Sequence, residues 1–298
     1  VPTKTKTKPK TETDSDTAFD LDAVPEKDRD QVEALIPSER VLEAYTGRFL
    51  PGGHSDFEYF DSALRLYHNI LMEGPTGSGK TTAARAYAAY KQLPFVSIEF
   101  SGALDPGSTY GTTLVDHSTG LPLWKDGEIT LAARYGGVIM LDEVNFAPAR
   151  FTAGFHGMLD ARQNLYITEL GARVAKHEGC VVFAAYNPRY RGTNMLNEAF
   201  LNRFAYPLRW GYDAQVEETR IGAYSPTLLN TVRRLRAQDD VLTDIGTNAM
   251  EEFIHIANDL SIEAAIYLFL NRLQPDDRAT CAQILEANET QIVAELTA

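Results

Sequence analysis

The run LMEGPTGSGKTTAARAYA, Leu71 to Ala88, sets Gly74, Gly79, Lys80 and Thr81 at the spacing G-x-x-x-x-G-K-T between an apolar segment and an alanine-rich one. No other feature of the chain restricts its fold as much. A loop of this kind requires a buried strand before it and a helix after it. Its glycines let the backbone turn and approach an anion closely, so that successive N–H groups point at one phosphate. The helix that follows adds its own unpaired amides and the positive end of its dipole. Gly74, Pro75, Thr76, Gly77, Ser78 and Gly79 are therefore the expected cradle. Lys80, Thr81 and Thr82 open the helix, Lys80 as a mobile charge for the outer phosphates and Thr81 as a hydroxyl ligand for Mg²⁺. The loop predicts nucleoside triphosphate binding and leaves open what the energy is used for.

Around the loop, short apolar runs alternate with helical patterns. HNILME leads into it, and LPFVSIEF, GGVIMLDE, GCVVFAAYNP and RFAYPLRW follow. Their length, β-branched content and glycine borders favour buried parallel strands over helix. Five strands with intervening helices predict an α/β fold, a doubly wound parallel sheet, over residues 31–212. From about Ala214 no strand is expected. Segments such as AMEEFIHIANDL and IEAAIYLFLNRL carry apolar residues at helical spacing, which predicts a small helical domain over 213–298. The opening thirty residues, rich in Thr, Lys and acids, bury too little to offset their ordering entropy and are expected to be disordered.

Four further residues have the chemistry of phosphoryl transfer. Asp142 and Glu143 end an otherwise apolar strand, at the sheet edge where such folds bind ligands. Asp142 suits Mg²⁺, which needs only one or two carboxylates, and Glu143 suits polarising a water. Asn187 ends the next strand, where a neutral amide can hold that water or the terminal phosphate without adding negative charge. Arg203 lies just ahead of the fifth strand and cannot easily curl back to its own loop, though it can reach a neighbour's.

With the loop, MLDEVN, YNPRYRG and LNEAFLNRF in this order, the chain resembles the AAA+ ATPases, and among them the MoxR-like branch with its CbbQ, NorQ and gas-vesicle GvpN types. The likeness runs from about residue 40 to 275. It implies Walker A residues at Lys80 and Thr81, Walker B at Asp142 and Glu143, a sensor-1 residue at Asn187 and a trans arginine finger at Arg203. It also implies an insert over Ser101–Glu128 and a hairpin over Asn164–Gly179 turning at Gly171, elements that line the pore in related rings. Tyr110 and Trp124 are then either grips for a client or anchors holding the loop to its own domain. The sequence departs from the pattern at Glu263, where a sensor-2 arginine is usual; either Arg272 or a neighbour's cation substitutes, or lid closure is read differently. It departs again at Asn202, where aspartate is frequent before the finger.

The functional expectation is a Mg-dependent ATPase that assembles into a hexameric ring and remodels a protein partner, one carrying a von Willebrand factor A domain by the same likeness. A nucleic-acid motor or GTP-dependent restriction-type subunit is the first alternative, and a nucleotide-timed assembly scaffold the second. A net charge of −13 in 298 residues argues against a generally basic, phosphate-neutralising surface. No apolar run approaches the roughly 18 residues that cross a bilayer, and a cytoplasmic, soluble protein without membrane insertion is expected. The two cysteines, Cys180 and Cys281, are far apart without metal-ligand spacing, which predicts reduced structural thiols.

Overall fold

In the computed structural model the described residues are 19–100, 109–116, 118–147, 149–188, 196, 198–238 and 243–297. Five parallel strands, β1 (Ile70–Glu73), β2 (Phe95–Glu99), β5 (Gly137–Asp142), β8 (Cys180–Tyr186) and β9 (Tyr206–Arg209), form one sheet in the order β2-β5-β8-β1-β9. The strand interiors match the apolar runs of the sequence because both faces of the sheet are covered. Residues of alternating parity go to opposite sides: Leu71, Ile139, Leu141, Val182 and Ala184 pack into one cluster. Ile70, Met72, Val138, Met140 and Phe183 pack into the other.

The chain reverses direction across the sheet at β1, which sits between β8 and β9 although β2 and β5 lie beyond β8. That switch point opens a crevice at the carboxyl ends of the strands, where Glu73, Asp142 and Tyr186 end β1, β5 and β8. The helix Lys80–Lys91 leaves β1 into this crevice. Its buried Ala83, Ala84, Ala88 and Ala89 have side chains small enough for close packing on the sheet. Helix Asp56–Arg65 covers the same face. It starts at a reciprocal cap in which Glu58 N donates to Ser55 Oγ at 3.2 Å and Ser55 N donates to Glu58 Oε2 at 2.7 Å.

Two hairpins stand off the sheet. β6 (Asn164–Ile167) and β7 (Ala172–Ala175) pair antiparallel, with Gly171 at φ 63 in the turn, as expected from the sequence. Within the insert, β3 (Gly111–Val115) and β4 (Pro122–Asp126) make a second hairpin; the insert's residues 101–108 lie outside the described ones, as do 189–192 of YNPRYRG. Beyond β9 the described residues form helices, and their apolar side chains from Ile221 to Ile292 gather in a cluster of their own.

One expectation needs correction. Disorder was expected through residue 30, and residues 1–18 lie outside the described ones, but Leu21–Ala23 form a 3-10 turn and Glu26–Ala34 an α-helix. The composition of this segment hides a small apolar contact: Val24 and Val32 are buried against Leu131. Tyr135 OH also donates to Asp28 Oδ2 at 2.7 Å. With the partly buried Phe19 and Leu21 and a bond from Phe95 N to Leu35 O at 2.9 Å, these contacts hold against a preformed surface a short helix that could not fold alone.

Candidate nucleotide site

The phosphate loop lies between β1 and the helix Lys80–Lys91, with Gly77 at φ 71 and Gly79 at φ 85, the left-handed region that glycine enters without steric cost. Lys80 is buried, and its Nζ donates to the carbonyl oxygens of Gly74 at 2.9 Å and Pro75 at 2.8 Å. Burial lowers its pKa, and the charges of Asp142, Asp244 and Glu143 oppose that shift. Trp210 Nε1 donates to Ser78 O at 3.1 Å, and Arg48 Nη2 donates to the same oxygen at 2.9 Å while its guanidinium lies 4.0 Å from the Trp210 ring centroid. Arg48 Nη1 adds a bond to Gly211 O at 2.9 Å. The outer turn of the loop is therefore tied to the segment that follows β9.

Gly74 is the position where this arrangement admits no side chain. A Cβ there would lie 1.9 Å from the Trp210 carbonyl oxygen, a backbone atom. Gly74→Ala is expected to displace loop or strand and to destabilise the protein by about 1–3 kcal/mol, read as a lowered midpoint of denaturant unfolding. An unchanged midpoint would show that the loop yields freely.

Across the crevice, Thr81 Oγ1 donates to Asp142 Oδ2. Glu143 follows at φ 53, and its N–H donates to Asp142 Oδ1 at 3.0 Å. Burial raises the Glu143 pKa, assisted by Asp142 and Glu99 and opposed by Lys80. Asn187 is buried; its Nδ2 approaches Thr76 Oγ1 at 3.3 Å and Asp244 Oδ2 at 2.8 Å, and Asn145 Nδ2 donates to its carbonyl at 3.3 Å. Gly77, Ser78, Gly79, Lys80, Thr81, Thr82, Asp142, Glu143 and Asn187 all line one cavity of about 290 Å³.

Arg203 is elsewhere. Its Nη1 donates to Ala199 O, and its Nε lies 3.6 Å from Asp160 Oδ2, with 24% of the side chain exposed. It does not line the cavity. Glu263 is at the start of helix Ile262–Asn271, where a hydrogen bond with Ser261 lowers its pKa, and it is also absent from the lining. Arg272 pairs with Glu252 and borders a smaller cavity that reaches Thr76 and Gly77. Tyr110 and Trp124 both pack against the sheet's core, and Trp124 Nε1 donates to Asp126 Oδ1 at 2.7 Å, so the structure favours anchoring for the pair. The apolar side chains exposed on that hairpin are Leu114, Val115, Leu121 and Leu123.

Sequence reasoning missed the opposite wall: Tyr45, Arg48, Asp213, Val216, Arg220 and Glu251. Arg220 reaches the cavity from a π-helical turn, Glu218–Gly222, paired with Glu251 and donating to Ala44 O at 3.2 Å. No local pattern marks these residues, because their partners are distant in the chain.

A glycine loop at a helix start, a lysine at its mouth, and a hydroxyl meeting a carboxylate from the neighbouring strand define a P-loop nucleoside triphosphatase. Residues 69–204 match the family described as AAA domain (dynein-related subfamily), and over this segment the chain is similar to the AAA+ ATPases. It is 32% identical over 170 residues to the denitrification regulatory protein NirQ of Pseudomonas aeruginosa, covering 57% of this chain and 64% of NirQ. It is 34% identical over 144 residues to the protein YojN of Bacillus subtilis, covering 48% of this chain and 47% of YojN. Midasin of Dictyostelium discoideum is 37% identical over 145 residues, which are 47% of this chain and 2% of midasin. In each case the matched chain spans less than two thirds of the relative's length. Among the described residues no helix is long and apolar enough to cross a membrane.

Proposed function

We propose that the chain is a Mg-dependent, MoxR-like ring ATPase in which adjoining subunits share each nucleotide site, and that the hydrolysis cycle remodels a protein partner. The observation that carries this reading is the position of Arg203. The cavity of one subunit has the phosphate loop, the Thr81–Asp142 pair and Glu143, whereas Arg203 of the same chain is held on Asp160 outside it. A neighbour's Arg203 would complete the set, and this supports an assembly whose adjoining subunits meet at each site, six of them by the likeness to related rings. NirQ is described as a regulatory protein, which agrees with action on a partner; a von Willebrand factor A-domain protein fits the resemblance of the core motifs.

The residues fit magnesium. Among the described residues no cluster of three or more His, Cys, Asp or Glu could hold a metal alone, and a Thr hydroxyl meets a single carboxylate at the cavity wall. That donor set suits an ion that takes its remaining ligands from phosphates and water. Thr81 and Asp142 would hold it, and it would supply charge neutralisation between the outer phosphates. The chain's own groups do the rest. Backbone amides of Gly77 to Thr81 and Lys80 bind the β- and γ-phosphates. Glu143 takes a proton from water as its oxygen bonds to the γ-phosphorus and the bond to the β-phosphate oxygen breaks, leaving ADP and inorganic phosphate. Asn187 orients the water or the γ-phosphate.

The reading predicts that specific ATPase activity rises with protein concentration in step with assembly, followed by light scattering on the same samples. Activity per subunit that stays constant down to the monomer would reject the shared site. Salt-sensitive stimulation by DNA would favour a nucleic-acid motor instead.

A further inference from the structure

Asp244 stands in the connection Thr243–Gly246 that enters helix Thr247–Asp259. Its Oδ2 accepts from Asn187 Nδ2 at 2.8 Å, while the same nitrogen approaches Thr76 Oγ1 at 3.3 Å. A carboxamide nitrogen has two hydrogens, and both of these acceptors lie within its reach. Asp244 lines the smaller cavity beside the nucleotide cavity, where Thr76 and Gly77 border both, and its charge raises the pKa of Lys80, after that of Asp142. The backbone around it is seated on the loop. A Cβ on Gly77 would meet Gly246 Cα at 2.8 Å, and Thr247 N donates to Gly77 O at 3.2 Å.

We propose that Asp244 is a specificity-determining residue that sets the protein's preference between ATP and ADP, because its carboxylate occupies the Asn187 amide toward which a γ-phosphate would turn. The inference rests on the reading of Asn187 as facing the terminal phosphate. ADP ends at the β-phosphate, makes no demand on this amide and leaves Asp244 in place. ATP brings a further negative group to the space between Lys80 and Asn187. There it competes with the carboxylate for the same donor and repels it. A hydrogen bond from an amide to an ionised carboxylate is one of the stronger neutral–charged contacts, so its displacement weighs on ATP alone.

The test is the ratio of ATP to ADP dissociation constants, measured by titration in the Glu143→Gln background so that ATP persists. Asp244→Ala and Asp244→Asn should each raise the affinity for ATP relative to ADP, by about tenfold for the alanine variant. ADP affinity should stay within about twofold of the parent, which also reports a folded site. Two controls separate this inference from the reading beneath it. Asn187→Ala alone should slow turnover, and in its presence Asp244→Ala should no longer move the ratio. Normal turnover in Asn187→Ala would reject the placement of Asn187 and this inference with it. Slowed turnover in Asn187→Ala, together with an ATP to ADP ratio that neither Asp244 variant alters by more than about twofold, would overturn the role of Asp244 alone.

Discussion

Glu143→Gln is expected to bind ATP and to hydrolyse it about a thousandfold more slowly, the loss that follows when a general base is replaced by an amide of the same shape. The side chain is aimed into the cavity by an unusual backbone. Glu143 follows the last residue of β5 in the left-handed region at φ 53, and its own N–H is tied to Asp142 Oδ1. A non-glycine residue in that conformation costs about 1–2 kcal/mol, and the surrounding sheet must hold it there. Glutamine keeps the geometry and the volume and removes the basic oxygen. Binding is expected to persist because the phosphate-loop amides and Lys80 are untouched. It is expected to tighten slightly, because a negative charge near the γ-phosphate has gone. Single-turnover hydrolysis alongside nucleotide titration separates the two effects. Turnover within about tenfold of the parent would remove Glu143 from the role of base.

Asp142→Asn offers a useful contrast in the same strand. Here the group that meets Thr81 Oγ1 is altered, so the expected defect includes the magnesium dependence of binding as well as the rate.

The parts of this molecule that were legible in the sequence are those whose physics is local. A phosphate loop declares itself through glycines at fixed offsets, and β5 and β8 through unbroken apolar runs, because a strand covered on both faces has no polar side to present. Asp142, Glu143 and Asn187 could be singled out because they end such runs. The opposite wall of the cavity was not legible. Arg48 sits under the loop only because Trp210, distant in sequence, offers a ring and Ser78 a carbonyl. Asp244 meets Asn187 only once the C-terminal helices dock at Gly77. The β3–β4 hairpin escaped notice for a different reason: its strands, TTLV and PLWK, expose apolar side chains, so they lack the inward and outward alternation by which a half-buried strand is recognised. The helix Glu26–Ala34 was hidden by its charge, which is solvated on one face while Val32 alone is buried with Asp28 on the other.

Arg203→Ala is expected to leave nucleotide affinity nearly unchanged and to lower turnover by about a thousandfold, the range measured for an arginine that stabilises the charge of phosphoryl transfer. The geometry explains why binding should survive: the guanidinium touches Ala199 O and Asp160 and no part of the cavity. Asp160 already accepts three hydrogen bonds from Arg162, at 3.0 Å from the backbone and 2.9 and 2.7 Å from the guanidinium, so its contact with Arg203 at 3.6 Å is the looser one. Both partners are partly buried, 24% and 26% exposed, so the contacts to Asp160 and Ala199 O that Arg203 gives up must be offset by a neighbour's phosphate. A shared site makes a stronger prediction than a slow mutant. Mixed with Glu143→Gln, itself nearly inactive, Arg203→Ala should regain activity: where its intact Glu143 faces the intact Arg203 of the other variant, one complete pocket forms. Two variants defective in the same chain's own pocket could not rescue each other. Mixtures that show no more than the summed activities of the separate variants, under conditions where both co-assemble, would place Arg203 outside the reaction.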